Sequence, residues 1–188
     1  MGKAIGTEAN HYGVHVVLGP AVNIKRNPLG GRCFEYFSED PYLAGKMGTA
    51  EIQGIQGEGV GVSVKHFALN NSENYRFMGD SIADMRAIRE IYLKPFEMIV
   101  KDADPETMMC AYNKIGGEYC GENKWLLTDV LRGAKTCSYE NAVSEGNIKL
   151  LPESFWRRFY ARVLKEGVDR EKVVRYVEEH GVQTRMLF

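Results

Sequence analysis

The sequence predicts an α/β fold built from parallel βα units and followed by a mainly helical tail, and three observations predict it. Apolar segments at 14–18, 60–64 and 107–112 recur at nearly constant spacing and are rich in β-branched or large apolar residues. Amphipathic helical patterns follow them, and strand signals stop after Arg132. Strands this apolar fit a parallel sheet covered by helices, whereas a half-solvated antiparallel sheet would show alternation.

The elements justify themselves in chain order. A helix ends near Tyr12 and leads into the first strand. Residues 41–56 carry the next helical pattern, opened by Ser38-Glu39-Asp40-Pro41. Asp40 suits the cap and Pro41 the first turn, while Gly57 and Gly59 mark the end. Residues 84–102 form a second helical pattern, with Ile88, Ile91, Tyr92, Phe96 and Ile99 on one face and Arg86, Arg89, Glu90 and Lys94 largely elsewhere. A third, shorter one covers 124–132. Residues 133–146 are small, polar and weakly patterned; 152–165 and 169–180 read as two helices hinged at Gly167. Phe155, Trp156 and Phe159 read as a packing stripe on the first. The expected division is therefore 1–132 and a divergent tail, 133–188.

Composition excludes partners more readily than it names one. Hydrophobic residues at 44%, charged residues at 26% and a net charge of -1 describe a soluble globular protein with no bias toward nucleic acid or a membrane. No run of about 18 apolar residues occurs, and the start, Met1-Gly2-Lys3-Ala4, has no signal-like apolar region. A cytoplasmic location is expected. The four cysteines show no CxxC spacing, so neither a zinc site nor a redox pair is indicated. His11 and His15 have metal-like spacing, but Gly13 breaks the helix that would align them. Gly57-x-Gly59-x-Gly61 precedes a strand, where a dinucleotide fingerprint would follow one, and reads as a turn. Asn70-Asn71-Ser72 is formally a glycosylation sequon that only a secreted chain would use.

In a parallel βα fold, functional groups gather on loops at the carboxyl ends of the strands. The first such loop, 19–41, is long and aromatic and includes Gly30-Gly31-Arg32-Cys33-Phe34-Glu35-Tyr36-Phe37-Ser38-Glu39-Asp40-Pro41. The second opens with Lys65-His66-Phe67 and continues to Asn70-Asn71. The third is Tyr112-Asn113-Lys114. Together with Asp84-x-Arg86-x-x-Arg89-Glu90 and Met109-Cys110-Ala111-Tyr112-Asn113, these segments, spread over 8–132, resemble glycoside hydrolase family 3 in both order and spacing.

The resemblance implies a TIM-type (β/α) barrel, retaining hydrolysis of terminal β-D-glucosyl residues, glucoside or glucose as ligand, and no cofactor or metal. At 188 residues the chain is too short for most complete barrels, which need about 250, so a partial barrel is expected. By the same resemblance Arg32, Lys65 and His66 bind hydroxyls of the non-reducing glucosyl unit, with Tyr112 and Met109 lining the pocket. Physical chemistry agrees: a sugar needs rigid charged and amide groups for its hydroxyls and an apolar surface for its CH face. Other roles stay open at this level. Arg32 and Glu35 form either a loop-pinning salt bridge or part of a site; Tyr112 packs or binds; Met109 fills the core or lines the pocket; Asn70 and Asn71 brace their loop.

A retaining glycosidase needs two carboxyl groups about 5 Å apart. In the family the nucleophile is an aspartate in a hydrophobic-Ser-Asp-Trp context soon after the helix equivalent to 125–132. Here Gly133-Ala134-Lys135-Thr136-Cys137-Ser138-Tyr139 follows, and nothing in 144–188 resembles the acid/base glutamate. The expectation is a β-glucosidase-like domain lacking both catalytic groups, or alternatively a non-catalytic sugar-binding or structural oligomer. Three strands cannot close a barrel, so a homo-oligomer, a complementing chain or cover from the tail helices is expected at the sheet edges.

Overall fold

The computed structural model of the chain describes residues 1–132. Helix α1 (Gly2–His11) leads through a turn at Gly13 into strand β1 (Val16–Val17). Helix α2 (Pro41–Gln56) begins at Asp40, whose carboxylate accepts the Tyr42 N–H at 2.8 Å, with Pro41 at the first position. Past its end, Gly59 turns the chain at φ +77°, a conformation open to glycine, into strand β2 (Gly61–Phe67). Short strand β3 (Asp80–Ser81), helical turn α3 (Met85–Ala87), helix α4 (Lys94–Ala103) and strands β4 (Thr107–Cys110), β5 (Lys114–Ile115) and β6 (Glu118–Tyr119) follow.

The main sheet has the order β1-β2-β4, all parallel, with Val16 beside Gly61, Ser63 beside Thr107 and Phe67 beside Cys110. Val62, Val64 and Phe67 on β2 are fully or nearly fully buried, as are Ile52 and Ile55 of α2 and Phe96 and Ile99 of α4. The Phe67 and Phe96 rings meet edge-on at 5.1 Å, tying the strand to the helix. Gly48 permits the close approach of α2: a Cβ there would stand 2.7 Å from Ile99 Cδ1 and 2.9 Å from Val22 Cγ1. The parallel α/β architecture expected from the sequence is thus present.

Three details differ from the sequence reading. The helix expected over 84–102 is broken. Asp84 caps it by accepting the Ala87 N–H, but a π-helical turn spans Ile88–Tyr92, and the Leu93 N–H reaches back to the Ile88 carbonyl, five residues earlier. Pro95 has no N–H and cannot continue an α-helical ladder, so α4 restarts around it. The helix expected at 124–132 is likewise π-helical over Trp125–Val130, with Asn123 Oδ1 accepting the Leu126 N–H at 2.8 Å. The third correction concerns β2, which runs on through Phe67. Lys65 and His66 therefore lie within its last three residues and are not loop residues.

A second small sheet, order β3-β5-β6, was not foreseen: two-residue strands carry too little pattern to read. The expected tail helices at 152–165 and 169–180 lie outside the described residues.

Candidate functional site

The chain beyond β1 keeps company with β2. Ala21 bridges Lys65 on one side and Tyr36 on the other, both in parallel sense. The Lys65 N–H donates to the Pro20 carbonyl at 3.0 Å and the Val22 N–H donates to the Lys65 carbonyl at 2.9 Å. Val22 and Ile24 are buried, which anchors the first part of the long loop and returns its far arm, Arg32 to Tyr36, to the end of β2. Main-chain pairing thus brings Arg32, Glu35, Tyr36, Lys65 and His66 to one place.

Their side chains form a connected network. The Glu35 carboxylate accepts from Arg32 Nε on one oxygen and from Lys65 Nζ at 3.1 Å on the other. Glu73 takes Arg76 Nη1 at 2.8 Å, the Asn70 amide at 3.0 Å and, more distantly, Arg32 Nη1 at 4.0 Å. The Arg76 guanidinium lies over two rings, 5.1 Å from the centre of Phe77 and 5.3 Å from that of Tyr112, and those rings are 4.9 Å apart. Three cations therefore share two carboxylates, and each cation keeps donors beyond those engaged.

Beneath the cations sits His66, 3% exposed. Burial pushes its pKa down to about 3, and Arg32 and Lys65 push in the same direction, so the ring is neutral at physiological pH. For Glu35 burial favours the protonated form, but the hydrogen bonds from Arg32 and Lys65 outweigh it and hold the carboxyl below its ordinary value. The Tyr36 hydroxyl is raised, chiefly by burial, and stays protonated; it donates to the Asn70 carbonyl at 2.9 Å. Asn71 Nδ2 donates to the Ile24 carbonyl, closing the second loop onto the first. The Asn70 side chain is buried and bonded, so the sequon asparagine is not presented to solvent.

Four of the five residues singled out from the sequence meet in this network: Arg32, Lys65 and His66 directly, and Tyr112 through Arg76. Met109 sits half-buried in β4, and no hydrogen bond, ion pair or ring contact joins it to them among the described residues. The Arg32–Glu35 pair left open by the sequence is formed, and it also engages Lys65. Sequence reasoning missed Arg76, Glu73, Asn23 and Tyr36. For Asn23 the signal was a lone amide inside the apolar run Ala21-Val22-Asn23-Ile24; Arg76 and Glu73 lie in a loop whose path no pattern gave. Asp84, Arg86 and Glu90 are a cap and an exposed i,i+4 pair at 3.0 Å. His11 and His15 are exposed, and no group of three potential metal ligands occurs among the described residues.

Residues 1–136 match the family description "Glycosyl hydrolase family 3 N terminal domain". The chain belongs to glycosyl hydrolase family 3. Within this family it is 57% identical over 132 residues to the exo-alpha-(1->6)-L-arabinopyranosidase of Bifidobacterium breve, an alignment covering 70% of this chain and 17% of that protein. A longer alignment, 38% identical, covers 97% of this chain and 23% of the probable beta-glucosidase I of Emericella nidulans. Among solved structures, beta-glucosidase 3B from Thermotoga neapolitana in complex with glucose superposes with a TM-score of 0.69 at 54% identity, covering 70% of this chain and 18% of that one. The chain thus spans between about a sixth and a quarter of the length of these family 3 relatives.

Proposed function

We propose that residues 1–132 form part of a TIM-type (β/α) barrel and supply the sugar-binding wall of a β-glucosidase-like catalytic domain. The observation that carries this reading is the convergence of Arg32, Lys65, His66 and Arg76 at the carboxyl end of one parallel sheet, linked through Glu35 and Glu73. Cations pinned by carboxylates present donors in fixed directions, which is what a ring of hydroxyls requires. The half-exposed Tyr112, stacked with Phe77, offers the apolar surface for the CH face of the ring. In this reading Met109 lines the pocket only indirectly. The glucose bound by the Thermotoga relative supports a glucosyl ligand; the arabinopyranosidase name of another relative supports an arabinopyranosyl unit as the alternative.

Hydrolysis needs two further groups, the nucleophile and the acid/base, which this reading places outside the chain: Gly133-Ala134-Lys135 stands where the family's aspartate strand would follow. A complementing chain or a homo-oligomer would then also cover the parallel edges of β1 and β4. The second reading, a sugar-binding or structural oligomer without catalysis, keeps the same wall.

Three measurements test this. Purified chain is expected to show little or no turnover of an aryl β-glucoside; robust turnover abolished by one Asp or Glu substitution within the chain would overturn the missing-carboxylate reading. Calorimetry should show glucose binding that Lys65→Ala weakens about tenfold or more, the effect of losing one charged hydrogen bond. Unchanged binding would remove Lys65 from the wall. Light scattering should give a mass above that of one chain, and a monomer would leave the tail as the remaining cover.

A further inference from the structure

His66 is held by groups whose hydrogen-bonding senses are themselves fixed. The Asn23 amide makes a reciprocal pair with the His66 main chain: Asn23 Nδ2 donates to the His66 carbonyl at 2.9 Å, and Asn23 Oδ1 accepts the His66 N–H at 2.8 Å. That pair determines which end of the amide is oxygen. The same Oδ1, an acceptor only, lies 3.3 Å from His66 Nδ1. The other neighbour of Nδ1 is the Tyr36 hydroxyl at 3.5 Å. Its single proton goes to the Asn70 carbonyl at 2.9 Å, and it accepts from Asn70 Nδ2 at 3.4 Å, so toward the ring it too presents a lone pair. Nδ1 faces two acceptors and must carry the proton.

Nε2 is in the opposite situation. No hydrogen bond reaches it among the described residues, and it is not one of the fully buried unpartnered side-chain atoms, which are Thr49 Oγ1, Asn70 Oδ1 and Asn113 Oδ1. It therefore retains access from outside.

We propose that Asn23 and Tyr36 act as positioning residues that lock His66 in the Nδ1–H tautomer, so that Nε2 is a bare acceptor for a ligand hydroxyl in a cup otherwise lined with donors. The ligand half of this inference rests on the saccharide reading above; the tautomer half does not. Arg32, Lys65 and Arg76 can only donate, and the carboxylates of Glu35 and Glu73 are occupied by those cations. A hydroxyl that accepts from one of these cations must place its own proton somewhere, and Nε2, which no side chain engages among the described residues, is a neutral acceptor open to it. The titratable groups around the ring are Arg32, Lys65, Glu35, Arg76 and Tyr36; burial first, and then the surplus of positive charge, disfavour an imidazolium that would donate instead. Such a site discriminates hydroxyl from fluorine or methoxy at one ring position, because those substituents cannot donate.

The experiment is nitrogen NMR of the full 15N-labelled chain at neutral pH, with the four histidines assigned by substituting each in turn with Gln. The expected result is a protonated, upfield Nδ1 and an unprotonated, downfield Nε2 for His66, with Nε2 moving upfield on addition of glucose. Asn23→Leu should blur the two nitrogens toward a common position, whereas Asn23→Asp, which restores an acceptor to Nδ1, should keep them apart. If Asn23→Leu does not fold, Tyr36→Phe removes the second acceptor and should narrow the separation. A protonated Nε2 in the unsubstituted chain overturns the proposal even when calorimetry still detects glucose. An unprotonated Nε2 that does not move while calorimetry detects bound glucose defeats the acceptor role alone; no shift together with no calorimetric binding defeats the saccharide reading, and the lock stands in both cases.

Discussion

The two ends of the side-chain network are held in different ways. At the inner end, His66 and Asn23 are almost wholly buried, and every bond that orients them runs to main chain or to a group itself fixed by main chain. At the outer end, Arg76 lies across Phe77 and Tyr112, rings that are 59% and 49% exposed, and it is held by one carboxylate and by stacking. Buried polar groups specify geometry because every alternative leaves a donor or acceptor unpaired, while exposed stacks tolerate rearrangement because water replaces what is lost. The inner end should behave as part of the fold and the outer end as an adjustable mouth.

Glu35 is where this contrast can be broken most visibly. Its carboxylate separates Arg32 from Lys65, and all three side chains are at most about a fifth exposed. Glu35→Gln keeps the shape but leaves two cations facing each other, with only Glu73, 4.0 Å from Arg32, as a remaining counter-charge. Chemical denaturation at neutral pH should show a loss of about 1.5–3 kcal/mol, the range for hydrogen bonds to charged groups. A loss below about 0.5 kcal/mol would mean that the inner end is no more coupled to the fold than a surface pair.

Titration sharpens the same contrast with a smaller effect. The folded pKa of His66 lies below its ordinary value of 6.5, so the stability linked to its neutral form is fully present above pH 6.5 and is lost progressively as the pH falls toward about 3. The depressed Glu35 carboxyl adds a loss of the same sign below its ordinary value of 4.5. Unfolding midpoints should therefore decline from pH 6.5 to 5, and the decline should flatten in His66→Gln. Equal slopes in the two proteins over that interval would show that the inner ring is not what resists protonation.

What the sequence revealed and what it hid follow the same division. The helix at 41–56 was legible to the residue because its signals are local: a capping aspartate, a proline in the first turn and a glycine at the end. Arg32, Lys65-His66 and Tyr112 were singled out through a family resemblance carried by spaced segments, and the structure brings them into one network. The residues that organise them were not. Asn23 and Tyr36 act on His66 from 43 and 30 residues away, through main-chain contacts set only when the long loop returns beside β2. The break at 88–93 shows local signals in conflict: an uninterrupted amphipathic pattern hid the consequence of Pro95 two residues beyond Leu93. Periodicity reports which face is apolar and says little about how the backbone ladder is closed.

Phe77→Ala tests the outer end and should have the smallest effect. The substitution removes one of two rings beneath the Arg76 guanidinium and the partner of Tyr112, while the ion pair with Glu73 at 2.8 Å remains. An exposed cation–π contact is worth about 0.5–1 kcal/mol, so stability should fall by no more than that. Because Tyr112 loses its neighbour and Arg76 one of its supports, glucose binding should weaken by only a few-fold, with the loss appearing in the dissociation rate. A collapse of stability by several kcal/mol would place Phe77 in the core in solution, and the mouth would then be as rigid as the inner end. Unchanged stability with lost binding would instead confine the ring's role to the ligand, drawing the line between fold and site between Glu73 and Phe77.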